Sequence, residues 1–170
     1  MKNQKERVFE EIYSSHKDRI YRLCKGFVKD EDQAKDLFQE ILIKIWRHLD
    51  AFREESQIST WIYRIAYNTA ITFSTKEKKQ EERKSEMPAE FQWSDSDYPH
   101  SEMDQQIQLL YQAINELPEL DRIIATLLLE NSSYRAIAEI SGISENYVAV
   151  KVNRIKTSLS KKLNPQTHGN

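Results

Sequence analysis

A run of 24 residues near the C-terminal end, SYRAIAEISGISENYVAVKVNRIK at residues 133–156, most narrowly limits how this chain can fold. Ile137 and Ile140 lie at helical spacing and predict the buried side of a first helix. Gly142 is the residue type that ends a helix in the left-handed conformation, and Ser144 is a good cap for a second helix. The run therefore predicts two helices joined by a tight turn, which is the arrangement of a helix-turn-helix.

The second of these helices is basic. Val148, Val152 and Ile155 continue an apolar face at helical spacing. No acidic residue occurs from residue 146 to residue 163. The basic residues of this stretch are Lys151, Arg154, Lys156, Lys161 and Lys162. Such a helix suits contact with phosphates, although an ordinary antiparallel helix pair with a solvated basic face has the same pattern.

Composition favours a helical protein without covalent cross-links. The 170 residues include only three glycines and four prolines, and 39% are apolar, enough for one ordinary core or two small ones. The lone Cys24 has no partner for an internal disulfide and falls in an apolar pattern, which predicts a buried thiol. The sequence has neither a signal-peptide pattern nor an apolar run of membrane-spanning length. It therefore predicts a cytoplasmic protein without membrane insertion.

Apolar periodicity predicts two helices at the start of the chain. The first runs through residues 8–27, and we expect it to bend or break at residues 14–17. Asp30 predicts the cap of a long second helix, in which apolar residues continue at helical spacing as far as Leu49.

A loop and a third helix follow. Residues 52–57 interrupt the periodicity, and Ser59 or Thr60 is expected to cap the next helix. This helix runs out into the charged segment KEKKQEERK at residues 76–84, for which we expect a solvated tail. Three helices of these lengths are sufficient to enclose a small core.

The middle of the chain is acidic and contains prolines, unlike the helical segments before it. Residues 86–104 contain two prolines, three aromatic residues and no Lys or Arg. Their acidic residues are Glu86, Glu90, Asp95, Asp97, Glu102 and Asp104. A segment of this composition buries too little surface to fold alone, so it predicts a flexible linker. Its aromatic residues suggest docking on a partner.

Helical spacing returns after this linker, stops at Pro118 and resumes at Asp121, before the helix-turn-helix. The C-terminal part is thus expected to have about four helices. The sequence predicts an all-α fold class, with two small helical domains joined by an acidic flexible linker. The predicted divisions are a first domain at 1–80, the linker at 81–104, a second domain at 105–164 and a tail at 165–170.

The sequence lacks the usual catalytic and metal-binding motifs. It has no glycine-rich phosphate loop, no HExxH, no CxxC and no GxSxG. The four histidines are scattered without a second ligand at helical spacing. Asp36 and Glu40 share one helix face and form a candidate cation site or acid/base pair, but surface carboxylates usually do neither. We therefore predict no enzyme, no metal and no cofactor.

Two blocks in this order carry a family resemblance. The first is DQAKDLFQEILIKIW followed by FREESQISTWIYRIAYNTA, and the second is LPELDRIIATLLLENSSYRAIAEISGISENYVAVKVNRIK. Together they resemble regions 2 and 4 of the sigma-70 family of bacterial transcription initiation factors. The lack of a substantial domain between them is similar to the extracytoplasmic-function subfamily. The resemblance covers nearly the whole chain and implies a factor that directs RNA polymerase to promoters.

The resemblance implies contacts with core RNA polymerase. In the family, an Asp-Leu-x-Gln-Glu face of the second helix docks on the coiled coil of the β′ subunit, and region 4 rests on the flap of the β subunit. The matching residues here are Asp36, Gln39 and Glu40. Without the resemblance, these side chains would be an ordinary solvated helix face.

The resemblance also implies that the loop and third helix open the promoter −10 element. Phe52 matches a loop aromatic that lines the pocket for an unstacked base, and Asn68 matches a polar residue on the pocket floor. An aromatic ring to stack on and an amide to read a base edge are what single-strand capture requires. Trp61 and Arg64 match the neighbouring helix, although Trp61 also suits a purely core position. The candidate phosphate contacts are Lys76, Lys78 and Lys79.

For the −35 element the resemblance implies recognition by the second helix of the helix-turn-helix. The matching base-facing residues are Asn146, Ala149, Val150, Asn153 and Arg154. Lys151 and Lys156 match positions that suit phosphates. Ala149 and Val150 occupy positions at which members of the family frequently have basic and polar residues. Contact with a thymine methyl is therefore expected there.

Family habit also implies an anti-sigma partner and a linker that threads toward the polymerase cleft. Two other functions remain open from the sequence. One is a helix-turn-helix regulator that binds duplex DNA as a dimer without polymerase, which leaves Asp36, Gln39, Glu40 and Phe52 without a role. The other is a decoy that binds polymerase without supporting transcription.

Overall fold

The first helix, α1 (Gln4–Lys25), is held at its start by a reciprocal cap. The Asn3 side chain accepts a hydrogen bond from the Lys5 amide, and the Glu6 carboxylate accepts one from the Asn3 amide. These coordinates are a computed structural model, which describes residues 3–84 and 102–165, with side chains at 3–76 and 105–165.

The expected break at residues 14–17 is wrong, because α1 is one continuous helix. Ile12 and Ile20 are buried, and the half-buried His16 takes the position between them on the same side of the helix. Ser14, Ser15 and Lys17 face solvent. The core-facing side of α1 therefore includes a histidine four residues from each of these isoleucines. A search for apolar residues alone does not find it and so places a break there.

The second helix, α2 (Glu31–His48), begins where the sequence predicts. The Asp30 carboxylate accepts a hydrogen bond from the Gln33 amide at 2.8 Å. A short 3₁₀ helix (Leu49–Ala51) and the predicted loop at 52–57 connect α2 to the third helix. T-shaped ring contacts between Phe9 and Trp46, at a centroid separation of 5.3 Å, help to pack α1 against α2.

The third helix, α3 (Ile58–Lys84), starts earlier and ends later than expected. It begins at Ile58, and the Trp61 amide donates to the Gln57 carbonyl, so Ser59 and Thr60 lie in the first turn and neither is the cap. The backbone stays helical through the charged segment 76–84, because Lys, Glu, Gln and Arg are good helix formers even without an apolar face. The predicted linker therefore loses residues 81–84 to α3.

Four helices follow the undescribed segment. They are α4 (Glu102–Asn115), α5 (Glu119–Leu129), α6 (Tyr134–Ser141) and α7 (Glu145–Leu163). The number agrees with the expected four, but α4 takes residues 102–104 from the predicted linker. Pro118 caps α5, so this helix starts at Glu119, two residues before the expected Asp121. The remaining linker, including its aromatic residues Phe91, Trp93 and Tyr98, lies outside the described residues.

The predicted helix-turn-helix is confirmed in α6 and α7. The Ser133 hydroxyl accepts from the Ala136 amide and the Ser144 hydroxyl from the Tyr147 amide, each at 3.1 Å. Gly142 ends α6 with φ of 74°, a left-handed conformation that favours glycine. Ile143 packs the turn against the core.

The buried apolar residues of α1–α3, which we call the N-terminal half, and of α4–α7, the C-terminal half, form one continuous core. Among the described residues, α6 packs against α3 and α5 packs against α1, which joins the two halves. The all-α fold class is thus confirmed. No helix in the described ranges combines the length and apolar character needed to cross a bilayer.

Candidate nucleic-acid interface

The loop after α2 and the first turns of α3 line a cavity of about 750 Å³. Phe52 and Trp61 form its aromatic part, with ring centroids 5.1 Å apart and ring planes inclined by 47°. Arg64, one turn further along α3, also lines it. Trp61 packs partly on the core and lines the cavity as well, so the two roles considered from the sequence coexist. This aromatic cavity offers ring surface on which a flat base can stack.

The other predicted residues of α3 lie further along the helix. Asn68 is exposed and does not line the aromatic cavity, because the seven residues from Trp61 carry it about 10 Å along the axis. Asn68 therefore lies outside this cavity, and its role in base capture stays a prediction. Lys76 is exposed. Lys78 and Lys79 belong to α3, but their side chains are outside the described part of the chain.

The opposite wall of the aromatic cavity comes from α6 and its cap. It is formed by Ser133, Arg135, Ala136 and Glu139. A guanidinium nitrogen of Arg64 donates a hydrogen bond to the Glu139 backbone carbonyl at 3.1 Å. The two residues are 75 positions apart in sequence. No local pattern identifies such a contact, which is why sequence reasoning did not find it.

A second surface lies on α2. Asp36 and Gln39 are exposed, and the partly buried Glu40 lies 3.7 Å from the Lys44 ammonium, an i, i+4 pair. Ile43 is 50% exposed and follows Asp36 by seven residues, so it shares this side of the helix. We call these residues, Asp36, Gln39, Glu40 and Ile43, the α2 face. Sequence reasoning missed Ile43, although its i+7 and i+4 spacing to Asp36 and Gln39 is visible in the sequence.

The α2 face is held outward by the residues behind it. Leu37 and Ile41 are fully buried. Phe38 packs edge-on against Tyr21 of α1, with ring centroids 5.7 Å apart and planes at 89°. These contacts fix the rotation of α2 about its axis, so the same side chains always meet solvent.

A third surface is the outer side of α7. Val148, Val152 and Ile155 are buried and orient the helix. Of the predicted −35 residues, the exposed ones are Asn146, Val150, Asn153, Arg154 and Lys156, whereas Ala149 and Lys151 are partly buried. A shallow cavity of about 420 Å³ along this side is lined by Asn153, Arg154, Thr157, Ser158 and Lys161. The exposed side chains thus combine amides and cations, the groups that bind base edges and phosphates.

Lys151 differs from the other basic residues of α7. Its ammonium lies 2.9 Å from the Asp121 carboxylate of α5, and both side chains are largely covered. The hydrogen bond to Asp121 raises the pKa of Lys151. This pair fixes the position of the lysine at the edge of α7.

Among the described residues no group of three or more His, Cys, Asp or Glu side chains could hold a metal ion. Cys24 is fully buried, as predicted, and burial raises the pKa of its thiol far above the ordinary range. Such a thiol is a packing group and a poor nucleophile.

Two family models match the chain. Sigma-70 region 2 matches residues 12–80, and Sigma-70, region 4 matches residues 107–159. The chain is 32% identical over 142 residues to RNA polymerase sigma factor SigV of Bacillus subtilis, covering 83% of this chain and 82% of that protein. It is 28% identical over 169 residues to the ECF RNA polymerase sigma-E factor of Haemophilus influenzae, covering 94% and 89% respectively.

A solved structure has the same fold. The sigma factor RpoE, in its complex with the anti-sigma factor NepR from Bartonella quintana, matches with a TM-score of 0.73 and 22% identity, over 94% of this chain and 98% of that one. Both family models, the aligned lengths and the order of the two regions agree with one another. The chain therefore belongs to the sigma-70 family of RNA polymerase sigma factors, in its extracytoplasmic-function group.

Proposed function

We propose that each of the three surfaces has one binding role in promoter recognition. The α2 face binds core RNA polymerase, the aromatic cavity captures a base of the −10 element, and α7 reads the −35 element. The observation that carries this proposal is that one chain combines a cavity walled by two aromatic rings with an exposed amide-rich and basic recognition helix. The first suits an unstacked single strand and the second suits duplex DNA.

The proposal gives each part of the sequence a role. Residues 1–80 bind polymerase and open the −10 element, and residues 105–164 bind the −35 element. Residues 81–104 connect these functions, and 165–170 form a tail. The chain itself has no catalytic activity in this proposal, since polymerase performs the chemistry. Because polymerase and promoters are cytoplasmic in bacteria, the proposal places the chain there as well, without membrane insertion.

On polymerase, the α2 face meets the coiled coil of the β′ subunit. Asp36, Gln39 and Glu40 supply a carboxylate, an amide and a second carboxylate, and Ile43 adds an exposed apolar group at the same side. An interface with an apolar contact inside a polar rim is the usual anatomy of a specific complex. The C-terminal half rests on the flap of the β subunit.

On DNA, the −10 strand runs along α3. A base stacks on Phe52 and Trp61, while Arg64, Asn68 and the lysines at 76, 78 and 79 follow the strand away from the cavity. On the duplex, Asn146, Asn153 and Arg154 contact base edges, and Ala149 and Val150 contact thymine methyl groups. Lys156 contacts a phosphate, and Lys151 does so by exchanging its ion pair with Asp121 for a phosphate oxygen. Neither lysine carries a sequence preference of its own.

The chain is also a candidate for inhibition by a protein partner. The RpoE sigma factor of Bartonella quintana forms a complex with an anti-sigma factor, and its fold matches both halves of this chain. We propose an anti-sigma partner here too.

Run-off transcription tests the proposal. Purified chain and bacterial core polymerase are incubated with fragmented genomic DNA, and the 5′ ends of the products are sequenced. We expect discrete starts that share two upstream elements at fixed spacing. Polymerase binding without starts would identify a decoy, and failure to bind polymerase would favour a regulator that acts alone.

The α2 face is tested by charge reversal. We expect Asp36→Lys to abolish association with core polymerase while leaving the circular dichroism spectrum unchanged, because Asp36 is exposed. Glu11→Lys is the matched control, since Glu11 is an exposed carboxylate on α1 outside the proposed face. Retained polymerase binding by Asp36→Lys would remove the α2 face from the proposal.

A further inference from the structure

Lys151 shares one side of α7 with two exposed residues. Tyr147 precedes it by four positions and Arg154 follows it by three, so the three side chains leave the helix in similar directions. Tyr147 is 42% exposed and Arg154 is also exposed, whereas the Lys151 side chain is only 18% exposed. Lys151 is covered because its ammonium reaches α5 and pairs there with the Asp121 carboxylate at 2.9 Å.

Two groups hold the Lys151 ammonium in this position. The Asp121 side chain is 15% exposed, so water and salt screen this ion pair less than a fully exposed one. The ammonium also lies 5.7 Å from the ring centroid of Tyr147, within the distance at which a cation and an aromatic face attract each other. The charge of Lys151 is therefore already compensated within the C-terminal half.

The Asp121 carboxylate has a second favourable interaction, which does not need the lysine. Asp121 lies in the first turn of α5, where backbone N–H groups without helical partners carry a partial positive charge. The cap residue, Pro118, makes no side-chain hydrogen bond to these groups. The carboxylate is therefore still stabilised when the lysine leaves, which lowers the cost of separating the pair.

The lysine can separate from Asp121 by movement of its side chain alone. A lysine has a flexible four-carbon stem and a compact charge. The buried residues Val148, Val152 and Ile155 fix α7 itself, and none of them is part of the ion pair. Rotation about the stem thus moves the ammonium away from α5 while the helix keeps its place.

We propose that Asp121 is an affinity-determining residue that competes with DNA phosphates for Lys151. The inference rests on the proposed role of α7 in duplex binding and adds the residue that limits this binding. Only the difference between the phosphate contact and the Asp121 contact contributes to affinity. Because phosphate contacts carry no sequence information, the competition weakens binding to promoter and mixed-sequence duplexes alike.

Competition and a purely structural ion pair predict different effects of Asp121→Asn. Both predict a lower free energy of unfolding in urea, because the variant loses the ion pair. A pair that only orders α7 also predicts weaker DNA binding. Competition predicts tighter binding, because the variant releases the lysine for a phosphate. The expected gain in affinity is about fivefold, the equilibrium factor for an ion pair at the upper end of the range for exposed pairs.

Affinity is measured by fluorescence anisotropy with the full chain and a fluorescein-labelled duplex of mixed sequence. The titrations are made at about 0.1 M salt, where exposed charges more than about 10 Å apart are largely screened. A duplex of equal length with a promoter found by run-off mapping provides the comparison. We expect Asp121→Asn to tighten binding to both duplexes by the same factor. Unchanged or weaker binding by the folded variant, or a gain confined to the promoter, would overturn the proposal.

A double-mutant cycle shows whether the effect passes through Lys151. Asp121→Asn should change affinity by less than about twofold in a Lys151→Gln background, which has no ammonium to release. Glu116→Gln is the matched control, because it removes a carboxylate that pairs with Lys162 of α7 in a more exposed ion pair. It should also change affinity by less than about twofold. Equal gains from the two carboxylate variants, or the full gain without Lys151, would show a long-range charge effect and refute the competition.

Nuclear magnetic resonance tests the competition in the wild-type chain, which does not depend on the folding of a variant. The observed signals are those of the Lys151 ammonium and of the Asp121 carboxyl carbon. We expect both to shift when the mixed-sequence duplex is added, because the two groups separate. A shift of the ammonium signal alone would mean that Lys151 keeps Asp121 while it contacts DNA, which contradicts the proposal.

Failure of this inference and failure of the proposed function give different results. Discrete run-off starts, together with no gain in duplex affinity for Asp121→Asn, would refute the competition and leave the proposed function intact. Absence of run-off starts would instead refute the proposed function, whatever the duplex titrations show.

Discussion

The His16 side chain takes a core-facing position in the middle of α1, between Ile12 and Ile20. Its Nδ1 atom is buried and has no hydrogen-bond partner among the described residues. Burial lowers the pKa of His16 below its ordinary value of about 6.5, and nearby Arg19 lowers it further. The folded chain therefore holds this imidazole in its neutral form.

This lowered pKa predicts a loss of stability in mild acid. Below about pH 6.5 the unfolded chain binds the proton more readily than the folded chain, so the contribution of His16 is complete above that pH and is lost as pH falls. We expect the free energy of unfolding in urea to fall more steeply from about pH 7.5 to about pH 5.5 in the wild type than in His16→Gln. Parallel curves for the two proteins would contradict this account.

In the proposed function, some residues of α7 read bases and others hold phosphates. We expect Arg154→Ala to relax preference at one −35 position by about 1–3 kcal/mol. Lys156→Ala should weaken all −35 sequences alike and reduce the salt dependence of binding by about one unit of slope. Both are measured by anisotropy with promoter fragments found by run-off mapping. Equal weakening of all sequences by Arg154→Ala would move that residue to the phosphate group.

Among the helices, α7 depends on a single side-chain cap at its start. The Ser144 hydroxyl accepts a hydrogen bond from the Tyr147 amide. We expect Ser144→Ala to lower the free energy of unfolding by about 1 kcal/mol. Ser160→Ala, an exposed change inside the same helix, should have almost no effect or a slightly stabilising one. Urea titrations of both variants provide the measurement, and similar losses in the two would show that the cap is not the cause.

The caps of α2 and α7 and the turn after α6 were predicted correctly, whereas the cap of α3 was not. Asp30, Ser144 and Gly142 act where the sequence placed them, because each works through backbone groups only a few residues away. The continuity of α1 and the length of α3 were not predicted. The first depends on a polar residue, His16, that packs like an apolar one. The second depends on intrinsic helix propensity in a stretch without an apolar pattern.

At the scale of the whole molecule, the continuous core predicts cooperative unfolding. Buried residues from both halves pack into one cluster. We expect tryptophan fluorescence and circular dichroism to give the same midpoint in urea, the usual sign of a two-state transition. A Trp93→Phe background restricts the fluorescence signal to Trp46 and Trp61 of the N-terminal half. Two separate midpoints would mean that the halves unfold independently.

The contacts between the two halves could not be predicted from the sequence. Fold class, the number of C-terminal helices and the aromatic loop follow from periodicity, caps and the family resemblance. The pair of Arg22 and Glu130 spans 108 positions, and both residues look like ordinary charged surface residues in the sequence. Arg22 lies on α1 and Glu130 directly follows α5, so only the packing of α5 on α1 brings the two charges together.

Gly142 has a consequence for protein engineering. It ends α6 with a positive φ, and a Cβ atom added there would meet no atom within 4 Å beyond its chain neighbours. A larger residue at this turn therefore meets backbone strain without a steric clash. A library of variants at position 142 should rank substitutions by their tolerance of the left-handed conformation and not by their size, with asparagine tolerated better than alanine or valine.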